Sequence, residues 1–149
     1  MPERIENWAG VVLRFAGRAE PFTIAAATVV YFWLAWHYSG AKVLWNDEIF
    51  TLILAQYRDL PSLIASLRHA ADQQPPLFYI VTNASLRLWG EAPVGLRFPE
   101  MLGAWLAFAG LYVFLRRWLG AVAGLCGVGM LVMSRGLHLA VEGRPYAMV

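Results

Sequence analysis

Charge is scarce in this chain. Only 15% of its 149 residues are Asp, Glu, Lys or Arg, against roughly 25% in an ordinary soluble domain, and the deficit falls in long apolar stretches. That excludes a water-soluble domain and points to an integral membrane protein. Cysteine is nearly absent as well. Cys126 stands alone, so no internal disulfide can form and the redox compartment stays open; within its apolar segment it reads as a small helix-packing residue. No basic cluster accompanies the net charge of +2, so a nucleic-acid face is not expected. No cleavable leader is expected either, because Glu3, Arg4, Glu6, Arg14, Arg18 and Glu20 break up the first twenty residues. The first apolar span should therefore remain as an anchor. His37, His69 and His138 share no metal-ligand spacing with Cys126 or with one another, so neither a metal nor a cofactor is expected. The chain also has no polar tail after Arg144-Pro145-Tyr146-Ala147-Met148, and it reads as the N-terminal piece of a longer protein.

What is present is apolar and aromatic: 59% hydrophobic residues with seven Trp. Ile5, Trp8, Val12 and Phe15 fall at helical spacing, so residues 1–20 are expected as a cytoplasmic interfacial helix. Pro21 opens an apolar run over 21–38, long enough to cross a ~30 Å hydrocarbon core. Further spans are expected over 98–117 and 121–141, joined by the basic turn Arg116-Arg117-Trp118-Leu119-Gly120. Basic residues near span ends favour the cytoplasmic side, which puts residues 39–97 outside as one large loop and makes 142–149 the start of a second. The apolar stretch from Pro75 to Trp89 is short for a crossing and reads as a juxtamembrane helix. Within the loop, Asp59–Ala71 carries Leu63, Ile64, Leu67 and Ala71 on one face, with Pro61 in the first turn, and reads as a short amphipathic helix. Gly120, Gly124, Gly127 and Gly129 offer small surfaces for packing within the chain. The expected fold is thus all-α, with several transmembrane helices and a helical external loop.

Three polar blocks emerge on the same external face in that topology: Asn46-Asp47-Glu48, Asp72-Gln73-Gln74-Pro75-Pro76, and Glu142-Gly143-Arg144-Pro145-Tyr146. Carboxylates held beside the bilayer by Trp45 and Phe50 suit chemistry on a lipid-delivered substrate. One such reaction is attack by an acceptor hydroxyl or amine on the anomeric carbon of a sugar linked to polyprenyl phosphate. It needs a carboxylate for the acceptor proton and a cation for the departing phosphate. Asp47 can be the base, and Arg144 has the forked donors a phosphate needs.

In order, the acidic pair Asp47-Glu48, the block Pro75-Pro76-Leu77 with Tyr79, Leu96-Arg97 with Pro99, the turn Arg116-Arg117 with Gly120, and Glu142 with Arg144-Pro145-Tyr146-Ala147 cover the chain from about residue 21 to its end. This order resembles the polyprenyl-phosphate-dependent glycosyltransferases of the GT-C fold, the superfamily of protein O-mannosyltransferases and aminoarabinose transferases. The resemblance implies a polyprenyl-phosphate sugar donor, a lipid, glycan or protein acceptor, and a bacterial inner membrane with the site on its external face. It implies Asp47 as general base, Glu48 as its catalytic neighbour, and Gln74, Glu142, Arg144 and Tyr146 as substrate-binding residues. Gln74 departs from the pattern, since relatives carry His or Lys there, and relatives also continue through many more membrane helices.

Plainer readings stand beside these. Asp47 and Glu48 could cap a helix beginning at Ile49, and Pro75-Pro76 could simply start one. Arg87 and Arg97 read as snorkelling interfacial residues. Asn83-Ala84-Ser85 fits a glycosylation pattern but lies in an apolar segment. The alternative function is a small non-catalytic membrane protein that binds lipid or serves as an assembly subunit.

Overall fold

A computed structural model describes residues 2–57, 59–69, 72, 74–90, 93–133, 138 and 140–144, with the side chains of residues 2–18 outside the description. Among the described residues six helices run in order: α1 (Pro2–Ala41), α2 (Asn46–Ala55), α3 (Leu60–Arg68), α4 (Pro76–Trp89), α5 (Pro93–Leu119) and α6 (Ala121–Leu131). No strand occurs among the described residues. Two helical stretches among the described residues, Ala19–Ala41 and Pro93–Leu119, are long and apolar enough to cross a membrane.

The break expected at Pro21 is absent, and the two segments expected on either side of it form one continuous helix. A proline removes one amide donor and crowds one carbonyl, which an otherwise strong helical run can absorb. The span expected over 121–141 is helical over Ala121–Leu131, while residues 134–137 and 139 lie outside the described residues. The helix expected over Asp59–Ala71 is shorter, Leu60–Arg68. Its start follows from the sequence, because the Asp59 side chain accepts from the Ser62 amide at 2.8 Å and Pro61 occupies the first turn.

α1, α5 and α6 pack together around Tyr31, Ala35, Met101, Ala104 and Phe108, with Ala140 and Val141 closing the cluster. The Tyr31 hydroxyl donates to the Met101 carbonyl at 2.7 Å, and its ring meets Phe108 edge-on. Between α5 and α6 the chain reverses at Gly120, whose φ of 91° is one that L side chains rarely adopt. A Cβ at Gly124 would lie 3.0 Å from the Tyr112 ring, and one at Gly127 would strike Leu115. These two glycines therefore serve packing within the chain, whereas a Cβ at Gly129 would meet none of the described residues within 4 Å. Cys126, expected to pack between helices, is exposed. We expect Gly124→Val to weaken the α5–α6 contact by about 1–3 kcal/mol, measured by detergent-induced unfolding in micelles, with Gly129→Val as the neutral control.

α4 lies against α5 and α2, and a proline explains part of its hold. Pro99 has no amide to give the Gly95 carbonyl one turn back; the Ser85 hydroxyl of α4 donates to that carbonyl instead, at 2.7 Å. Asn83 donates to the Ala55 carbonyl at 2.6 Å, so its amide is engaged inside the fold rather than offered as a glycosylation acceptor.

Two polar junctions bracket the bundle. At one end Glu20 of α1 pairs with Tyr112 and Arg116 of α5. At the other, the α1 carbonyl of Ser39 takes a hydrogen bond from Arg97 of α5 at 2.5 Å. Glu20 to Ser39 and Arg97 to Arg116 are equal intervals in sequence, each ~28 Å at the helical rise, close to the ~30 Å of a hydrocarbon core.

Candidate functional site

α1 ends without a basic residue in its last turn, so the terminal carbonyls need donors from elsewhere. Arg97, fully buried, supplies donors from α5 to the last turn and to the two residues just past it. Its Nη1 donates to the carbonyls of Ser39 and Lys42 (2.5 and 2.9 Å), and its Nη2 donates to that of Val43 at 3.2 Å. The helix dipole favours a cation in this position. Arg97 is therefore an internal cap and not the snorkelling residue expected from its place near a span end; proximity to an interface is visible in sequence, but the partner's carbonyls are not.

The rest of the Arg97 fork meets Glu48. Nε donates to Oε1 at 2.8 Å and Nη2 to Oε2 at 2.7 Å. Glu48, 2% exposed, sits in the first turn of α2, which begins at Asn46 rather than at Ile49. It also accepts the Trp45 amide at 3.0 Å, the arrangement by which a first-turn acid reaches back to its own helix start, and the Gly143 amide at 2.6 Å. Burial alone would raise the Glu48 pKa, but Arg97 and the two amides outweigh it and hold the carboxyl below its usual range.

Asp47 faces the other way. Its side chain is 67% exposed and lies 3.4 Å from Nη2 of Arg144, beside an open depression lined by Val43, Leu44, Trp45, Asn46 and Asp47. Arg144 turns its Nη1 to both oxygens of Asp72, at 3.1 and 2.8 Å. Burial works against the Arg144 charge, yet Asp72 and then Asp47 more than offset it and raise its pKa. Tyr79, on α4, has its buried hydroxyl beside Asp72 and the Gln74 backbone without completing a bond of normal geometry. Burial first, and then the Asp72 charge, push the Tyr79 pKa up, so the phenol stays protonated. Glu142 accepts from Lys42 at 3.0 Å and lies 3.6 Å from His138 Nε2.

The three polar blocks thus meet at one end of the bundle: Asp47 and Glu48 from the first, Asp72 and Gln74 from the second, Glu142 and Arg144 from the third. Tyr146 lies outside the described residues. Sequence reasoning missed Lys42 and Asp72 as members. Asp72 belongs to the second polar block, but nothing in the sequence marks it as the partner of Arg144; Lys42 has no signal beyond being a lone cation after an apolar run. Among the described residues no group of three His, Cys, Asp or Glu side chains is placed to hold a metal ion. A second depression, along α3 by Pro61, Ile64 and Arg68, contains none of the expected site residues. No family model matches the chain, and no curated protein or solved structure matches it either.

Proposed function

We propose that the chain belongs to a membrane glycosyltransferase that moves a sugar from polyprenyl phosphate to an acceptor at the external face of a bacterial inner membrane. The observation that carries this reading is Arg144, bridging a partly buried Asp72 and an exposed Asp47. It sets a cation beside an accessible carboxylate, the two groups that the transfer requires. α1 and α5 then cross the bilayer and the segment that begins with α6 leads back across it, with the α2–α4 region and residues 142–144 at its external surface. The exposed side chains of Trp45, Phe50, Leu77 and Leu88 are the apolar contacts of that surface.

In the transfer, the acceptor hydroxyl or amine attacks the anomeric carbon and gives its proton to Asp47. The bond between that carbon and the phosphate oxygen breaks, and the electron pair leaves with polyprenyl phosphate, whose charge meets Arg144. Attack opposite the leaving group inverts the anomeric configuration. Gln74 is uncharged and contributes hydrogen bonding rather than charge to the donor.

All such donors release the same lipid product, so the test needs no knowledge of the sugar. Membranes carrying the full-length gene product are incubated with a panel of synthetic polyprenyl-phosphate sugars, and released polyprenyl phosphate is measured by mass spectrometry. Release above that of membranes lacking the protein is expected for at least one donor. Donor binding without release from any of the panel would overturn the enzyme in favour of a non-catalytic lipid-binding subunit.

A further inference from the structure

Glu48 neighbours the exposed carboxylate in sequence, yet its surroundings are those of a joint. A carboxylate offers about four lone-pair sites, and Glu48 fills four with Arg97 Nε, Arg97 Nη2, the Trp45 amide and the Gly143 amide. A guanidinium offers five N–H donors, and Arg97 makes five hydrogen bonds. Neither group has capacity left for a substrate, and a proton on Glu48 would break one of its bonds.

The partners come from separate parts of the chain: the end of α1, the turn before α2, α5, and the turn at residues 142–144. Gly143 is pressed into this joint. A Cβ there would lie 3.1 Å from Leu96 and 3.2 Å from Glu48 Oε1, tighter than ordinary contact. Its immediate neighbours are Glu142, which reaches Lys42, and Arg144, which reaches Asp47 and Asp72. On the other side of the joint, successive helical residues diverge by about 100°, so fixing Glu48 inward aims Asp47 outward.

We propose that Glu48 and Arg97 are positioning residues: their closed pair is the dock for the Gly143 amide, and that docking brings Arg144 to Asp47. Glu48 then carries no proton in the reaction. The inference rests on the reading of Asp47 and Arg144 as the reacting groups, but its test reads geometry rather than turnover, so the two can fail separately.

The test uses the whole protein in detergent micelles and a water-soluble carbodiimide. The reagent activates the Glu142 carboxyl, the Lys42 amine displaces the resulting urea, and an amide joins the two side chains with net loss of one water. Peptide mass spectrometry counts the product. The wild-type ion pair at 3.0 Å should cross-link readily. In Glu48→Gln and in Gly143→Ala the yield should fall about tenfold, the size expected when a charge-assisted hydrogen bond no longer holds a local segment. Circular dichroism and size exclusion establish that each variant is folded. Should Glu48→Gln fail to fold, Gly143→Ala carries the test, because it leaves both charged partners in place. A joint that only stabilises the fold would lower the melting temperature and leave the cross-link yield of folded protein unchanged; that result would overturn the proposal.

Discussion

Asp47→Asn should cut polyprenyl-phosphate release by about 10²–10⁴-fold, the usual cost of losing a general base, while leaving expression, membrane insertion and melting temperature near those of the wild type. Both halves of this expectation come from the same surroundings. The side chain is mostly solvent-exposed and its ion pair to Arg144 is long at 3.4 Å, so its removal costs little stability. Arg144 keeps its two contacts to Asp72 and stays in place to meet the leaving phosphate. Asparagine has the shape of aspartate but cannot accept the acceptor's proton. Initial rates at saturating donor, set beside thermal unfolding of the same preparation, separate the two halves. Wild-type rates in Asp47→Asn would remove Asp47 from the reaction. A large fall in melting temperature would show that it is a structural group after all.

Much of the helical layout was legible in the sequence because long apolar runs and prolines report backbone behaviour locally. Pro76–Trp89 and Leu60–Arg68 begin close to where Pro75-Pro76 and Asp59-x-Pro61 indicated. The convergence of the three polar blocks follows the expected alternation of helix direction: α1 runs up the bundle, α5 runs back, and the chain after α6 returns to the end where α2 begins. What was hidden depends on partners far along the chain. Nothing near Pro21 reveals that α1 runs through it. Nothing near Arg97 shows three carbonyls at the end of another helix, and nothing near Glu48 shows the Gly143 amide. Adjacent acids in sequence suggested similar roles, yet a helix turns neighbours apart, so Asp47 faces solvent while Glu48 is buried. Lys42 and Asp72 entered the cluster through ion pairs spanning 100 and 72 positions, separations at which sequence pattern carries no information.

Arg97→Met should destabilise the protein by about 3–5 kcal/mol, the range for removing one partner of a buried ion pair. Methionine occupies similar volume, so packing is largely kept and the loss is electrostatic: Glu48 retains its charge with only two backbone amides, and the carbonyls of Ser39, Lys42 and Val43 lose their donor. Adding Glu48→Gln to Arg97→Met should recover part of the loss, because it removes the stranded charge. The pH dependence follows from the direction of the Glu48 shift. A carboxyl held below its usual range contributes stability that is fully present above the ordinary carboxylate pKa and is lost as pH falls through its lowered value. In Arg97→Met the main force lowering that pKa is gone and burial raises it, so the carboxyl protonates readily and the stranded charge disappears under mild acid. The gap between wild type and variant should therefore narrow as pH falls through the carboxylate range, when unfolding in micelles is followed at a series of pH values. A constant gap would mean that the loss comes from the stranded carbonyls of Ser39, Lys42 and Val43, whose hydrogen bonding does not titrate, rather than from Glu48.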